Sequence, residues 1–264
     1  MHIIKRELRA NAKSLLIWSV VMIIFIFLMV SEFSAYYNNP EMGDILDSMP
    51  EQMMKAFSME SANLTTTTGF VSIASVYFYL VLGVFAVLLG SNIISKEERD
   101  KTAEFFLTLP VSREKVILSK WIAAVINCVA LNAVTGVSLI VSMLNYDLDN
   151  EYYKFVGLLV IALFIIQMIF LSIGMLLASV LKRYKTSGKI SASVIMVLYM
   201  INVIASISSK LENFKYVTPF KYFESAKLLA NGEFELKYIL LSLGIIAVSM
   251  AGTFIVYPKR DLHL

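Results

Sequence analysis

The side chains able to carry reaction chemistry are few, and they are badly placed for it. Histidine occurs only at His2 and His263, so neither an HExxH zinc helix nor a His-based triad can be built. Cys128 is the only cysteine, which excludes a disulfide scaffold, and it lies within an apolar run where a buried, inert thiol is expected. A phosphate-binding loop is missing: Gly188-Lys189 is followed by Ile190, and Arg183 stands where the upstream glycine is required. The long apolar runs carry essentially no Asp, Glu, Lys or Arg; Glu32 lies near the outer end of one, where interfacial placement suffices. Ion-coupled carriers place ionisable groups at membrane depth, so this absence weighs against one. Asn127, Asn132, Thr135 and Asn202 are polar but neutral, and interhelical hydrogen bonding accounts for them.

One stretch is chemically dense. Ser95-Lys96-Glu97-Glu98-Arg99-Asp100-Lys101-Thr102-Ala103-Glu104 is charged and passes into an apolar patch of Phe105, Phe106, Leu107 and Leu109. Pro110 then stops a helix, and Ser112 can cap the next one. The residues predict a short helix across the membrane surface, ending in a turn. It reads equally as a solvated interfacial loop or as a docking surface for a partner with an apolar pocket and a charged rim.

The elements that hold this stretch follow from composition. Of 264 residues, 58% are hydrophobic and 16% charged, with a mean hydropathy of +0.72. Soluble domains are ~45–50% apolar and roughly 25% charged. The chain is therefore expected to be an integral membrane protein. Runs of about 18 or more apolar residues mark spanning helices. Six qualify: about 15–36, 70–94, 121–144, 155–181, 190–208 and 238–257. They are continuous, which excludes the alternating pattern of a barrel. The first resembles a signal peptide in its basic flank, but it is too long and lacks a small-x-small cleavage site, so an uncleaved helix is expected.

Charge gives the orientation. The N-terminal segment, loops 95–120 and 182–189, and the C-terminal segment hold sixteen of the 23 basic residues and seven acids, a balance of +9. The opposite side, counting Glu32 at the end of the first run, holds seven basic residues and thirteen acids, a balance of −6. All six arginines lie on the first side, so both termini are expected in the cytoplasm. On the outer side, residues 44–58 space Ile45, Leu46, Met49, Met53, Met54 and Phe57 as an amphipathic helix, expected to pack on the leaflet or on neighbouring helices. Asn63-Leu64-Thr65 is a glycosylation sequon, meaningful only in a eukaryotic secretory pathway.

Several motifs resemble one family. The acidic pair, Thr102-x-Glu104, the apolar pair and Leu109-Pro110-Val111-Ser112-Arg113 look like the cytoplasmic signature of ABC type-2 permeases, the membrane subunits of type V ABC exporters. That pattern has glycine before the threonine; here the residue is Lys101. The outer stretch 47–57, Thr218-Pro219-Phe220-Lys221-Tyr222-Phe223 and the ending Lys259-Arg260-Asp261-Leu262 are similar to further family segments, in the same order.

The resemblance implies an all-α, polytopic fold of six transmembrane helices forming one permease domain over residues 1–264. Residues 1–14 would form an amphipathic elbow helix at the inner surface, carrying Lys5, Arg6, Arg9 and Lys13, a set that also suits anchoring to anionic lipid. Loop 95–120 would carry the coupling helix, with Glu97, Glu98, Glu104, Phe105, Phe106, Pro110 and Arg113 docking on an ATPase subunit. Segments 37–69 and 209–237 would be extracellular, with Pro219, Phe220, Tyr222 and Phe223 at the exit. The implied function is the permease subunit of an ATP-driven exporter of an amphipathic or hydrophobic peptide, toxin or drug, such as a phenol-soluble modulin or a bacteriocin. The implied partners are two ATPase subunits, a second permease copy or paralogue, the lipid bilayer and the cargo, with no nucleic acid. No cofactor is expected in this chain, ATP and Mg belonging to the partner. A bacterial plasma membrane is the expected location. The rival readings are an ATPase-independent secondary transporter or channel, a non-transporting immunity or scaffold protein, and, least favoured, a membrane enzyme.

Overall fold

The computed structural model describes residues 2–37, 39, 48, 50, 54, 63–102, 111–181, 184–207 and 214–259. They form seven α-helices and no strand among the described residues: α1 (His2–Phe33), α2 (Thr67–Arg99), α3 (Arg113–Ser142), α4 (Asn150–Val180), α5 (Tyr184–Ile207), the short α6 (Ser225–Asn231) and α7 (Leu236–Val256). Short 3-10 turns lie at Pro219–Lys221 and Tyr257–Lys259. All but α6 are long and apolar enough to cross a membrane.

The spans extend beyond their apolar runs because local chemistry sets their ends. The Thr66 hydroxyl accepts from the Gly69 amide to start α2, and the Asp149 carboxylate accepts from the Tyr152 amide at 2.8 Å to start α4. Ser112 caps α3 as expected, its hydroxyl accepting from the Lys115 amide. No glycine or proline interrupts residues 2–33, and α1 runs through them as one helix, so residues 2–14 continue without a break into the first apolar run. At about 1.5 Å per residue, those 32 residues exceed the ~30 Å hydrocarbon core, so one end of α1 stands clear of it.

The end of α2 is a complete Schellman turn. The Lys101 amide donates to the Glu98 carbonyl and the Thr102 amide to the Glu97 carbonyl. Lys101 is held left-handed at φ +55°, a conformation glycine adopts at no cost. The glycine of the family pattern has this physical reason, and Lys101 departs from it.

α4 is the hub. Leu159, Leu163, Ile166, Phe170 and Met175 are closed to solvent, and α2, α3, α5 and α7 pack around them. α1 lies mainly along α3 and meets α2 through edge contacts of Trp18 with Phe85 and of Phe25 with Phe78. Exposed apolar side chains such as Leu16 and Leu28 on α1, Met196 and Met200 on α5, and Leu240 and Val248 on α7 face away from the hub. That surface suits lipid or another spanning chain.

Successive spans run in alternating directions. At one end Phe33, Tyr37, Phe70 and Tyr146 form an aromatic cluster, and the Tyr37 hydroxyl donates to Asp147 at 3.1 Å. The opposite end gathers the start of α1, the end of α2, the start of α3 and the turn after α7. Most of outer segment 37–69, with its expected amphipathic helix at 44–58, lies outside the described residues.

Candidate functional site

The basic end is held by a network that composition does not reveal. Lys120, seven residues into α3, is fully buried and donates to Glu97 Oε2 and to the Ile93 carbonyl of α2, both at 2.5 Å. Glu97 is 3% exposed, and its other oxygen accepts from Arg6 Nη2 of α1 at 3.3 Å. Arg6 also pairs with the buried Glu7 at 3.0 Å, and Glu7 accepts from Lys96 Nζ at 3.1 Å. Charges taken out of water are costly unless paired and hydrogen-bonded, and alternating signs supply each carboxylate with two cations.

Nearby, the Ser187 hydroxyl lies 3.1 Å from Ser91 and 3.2 Å from Ser95, tying α5 to α2. Arg113 Nη1 donates to the Pro258 carbonyl at 2.9 Å, tying α3 to the turn after α7.

Within the spans, Asn132 bonds across to the Val160 carbonyl of α4 at 2.8 Å. Asn127 and Thr135 instead bond back to their own helix, at Ala123 and Leu131. Gln167 of α4 is fully buried, and neither atom of its amide has a hydrogen-bond partner among the described residues.

The end of the bundle away from the ion-paired network is capped by residues 214–235. Pro219, Phe220, Tyr222 and Phe223 are all buried. Phe220 packs on Phe170 of α4 and Tyr199 of α5, and Tyr222 stacks on Tyr238 of α7 with ring centres 5.4 Å apart. Polar bonds fix the backbone: the Tyr79 hydroxyl donates to the Phe223 carbonyl at 2.9 Å, and Thr218 donates to the Leu198 carbonyl at 3.0 Å. Burial pushes the Tyr222 hydroxyl up to about 12, so it stays a neutral donor to the Tyr216 carbonyl. Glu224 bridges Lys221 and Lys227. Burial raises its pKa, but the two lysines outweigh that and hold the carboxyl below its ordinary range. α6 ends on Gly232 at φ +67°.

Against this geometry stands one comparison. The sequence model described as ABC-2 family transporter protein matches residues 1–262. The chain belongs to that family. It is a multi-pass membrane protein, a transport component that is not itself catalytic, and its family implies an ABC ATPase partner. No individual curated protein matches it.

In this ABC-2 chain the expected site residues separate into three groups. Glu104, Phe105, Phe106 and Pro110 lie outside the described residues. Lys5, Arg9 and Lys13 are exposed along α1, and Arg6 is half-exposed and ion-paired. Both the Glu97 and Glu98 side chains are buried against the bundle, and Glu97 is engaged with Lys120. Arg113 is half-buried on the turn after α7. Sequence reasoning missed Glu7, Lys96 and Lys120. Two of them carried a signal: Glu7 is an acid set inside a basic segment, and Lys120 is a base abutting the apolar run that begins at Trp121.

Proposed function

We propose that the chain is the permease subunit of an ATP-driven exporter in a bacterial plasma membrane. Two permeases, either two copies or a copy and a paralogue, pair in the bilayer above two ATPase subunits that bind ATP and Mg. ATP-driven closure of the ATPases pushes on loop 100–112, and the permeases open a path outward. Phe105 and Phe106 are the apolar anchor in the ATPase groove, Glu104, Pro110 and Arg113 shape the docking turn, and Glu97 and Glu98 brace it from within. Lys5, Arg9 and Lys13 hold the inner surface on anionic lipid. Residues 219–223 cap the exit.

The observation that carries this reading is the family match over residues 1–262, together with a loop hung between α2 and α3 at the most heavily ion-paired end of the bundle. The uncharged central runs of the spans and their apolar exposed faces support an amphipathic or hydrophobic cargo, with a peptide or toxin as the favoured class.

Co-purification tests it. Tagged protein extracted in mild detergent brings down an ABC ATPase, and Phe105→Ala with Phe106→Ala loses most of it, each anchor being worth about 2 kcal/mol or more. A wild-type preparation that transports its cargo with no ATPase bound contradicts the reading and favours a secondary transporter.

A further inference from the structure

Residues 100–112, of which 103–110 lie outside the described residues, join the end of α2 to the start of α3. A loop on two helical stems ordinarily hinges at the stems, so a push on it is spent in local bending. Here the stems are fastened together. Lys120 of α3 holds both the side chain of Glu97 and the main chain of Ile93 on α2. The Glu97 carbonyl also accepts from the Thr102 amide, so one residue holds both the turn that ends α2 and the facing helix. From Glu97 the alternating charges run on through Arg6 and Glu7 of α1 and return to α2 at Lys96.

An apolar contact could hold these helices equally well, because well-packed hydrophobic residues often match a buried ion pair in stability. The two differ in register. Apolar surfaces slide, whereas shifting α2 against α3 by one residue strips a buried carboxylate and a buried ammonium of each other. Glu7, Glu97 and Lys120 are all closed to solvent, so water cannot replace the lost partner.

We infer that Lys120 is a positioning residue. With Glu97 and Glu7 it locks the loop-bearing ends of α2 and α3 to the start of α1, so that displacement of loop 100–112 moves three helices as one body. The lock stands on its geometry alone; only its use in transport rests on the function proposed above.

The test uses the full chain with its ATPase in nanodiscs. The variants are Lys120→Met and Lys120→Met combined with Glu97→Gln, the second leaving no unpaired buried charge on the pair. Amide exchange over residues 93–102 and 113–120 reads the lock. ATP hydrolysed per labelled amphipathic helical peptide transported reads its use, and a merely structural role would leave that ratio unchanged in an assembled complex. Lys120→Met should speed exchange at both stems by about a hundredfold. The double variant should assemble and melt as wild type, yet spend about tenfold more ATP per peptide.

Wild-type exchange at the stems in both variants overturns the lock. A wild-type ATP-to-peptide ratio in the double variant overturns its role in coupling. If the double variant does not assemble, Arg6→Gln with Glu7→Gln removes both links of α1 to α2 while leaving Lys120 on Glu97; a raised ratio then supports the three-helix body and an unchanged one overturns it. If the wild-type chain binds no ATPase, the functional reading fails, and stem exchange alone decides the lock.

Discussion

Gly90 of α2 and Gly174 of α4 each lie against the backbone of the other helix. A Cβ on Gly90 would sit 2.3 Å from the Leu171 carbonyl oxygen, and one on Gly174 would sit 2.2 Å from the Val87 carbonyl oxygen. No side chain fits there, so the two most buried spans meet backbone to backbone. In a membrane, where lipid offers helices no hydrophobic drive to associate, such close packing holds them together.

Gly174→Val must therefore push α2 and α4 apart. A loss of about 1–3 kcal/mol is expected, read as a lower unfolding temperature in detergent. Gly157, with open space around its Cβ position, is the control, and Gly157→Ala should not lower the melting temperature.

The six spans were legible because long apolar runs are averages over many residues. The Ser112 cap was legible because capping is local. The lock was not. Lys120 stands one residue before an apolar run and counts as a loop base until α3 is seen to begin at Arg113, which buries it. Glu97 reads as a solvated docking charge for the same reason: nothing local says that Arg6, 91 residues away, stands beside it. The join of segment 1–14 to the first span was predictable from its lack of glycine and proline, but the basic pattern outweighed that signal. In residues 214–223 the aromatic side chains were legible as a group, though not their partners on α2, α4, α5 and α7.

Lys101 holds a left-handed turn without being glycine. Lys101→Gly is expected to stabilise the chain by about 1 kcal/mol, because it removes the Cβ clash at that φ. Chemical or thermal denaturation checks the gain, and Lys101→Val should move stability the opposite way.

Gln167 buries an amide without a hydrogen-bond partner among the described residues. Gln167→Leu conserves most of its volume and should raise stability by about 1–3 kcal/mol. If stability rises while transport of an amphipathic peptide falls, the amide serves the transport path; a fall in stability would mean that it has a partner.

The outer cap should weaken in acid. The folded-state pKa of Glu224 lies below its ordinary 4.5, so its contribution is whole above that value and is lost as pH falls through the folded value. Melting temperatures taken from about pH 6 down to about pH 3 should fall less steeply for Glu224→Gln than for wild type. Parallel curves would show that the Lys221–Glu224–Lys227 bridge does not stabilise the cap.

Flux in sealed vesicles bears most directly on the central claim. Inside-out vesicles holding the chain and its ATPase partner are given a labelled amphipathic helical peptide with ATP and Mg. Peptide should accumulate inside only with ATP. Accumulation should stop when the ATPase is omitted and drop at least about tenfold with Phe105→Ala and Phe106→Ala. Equal accumulation without the ATPase, or without ATP, would contradict the account.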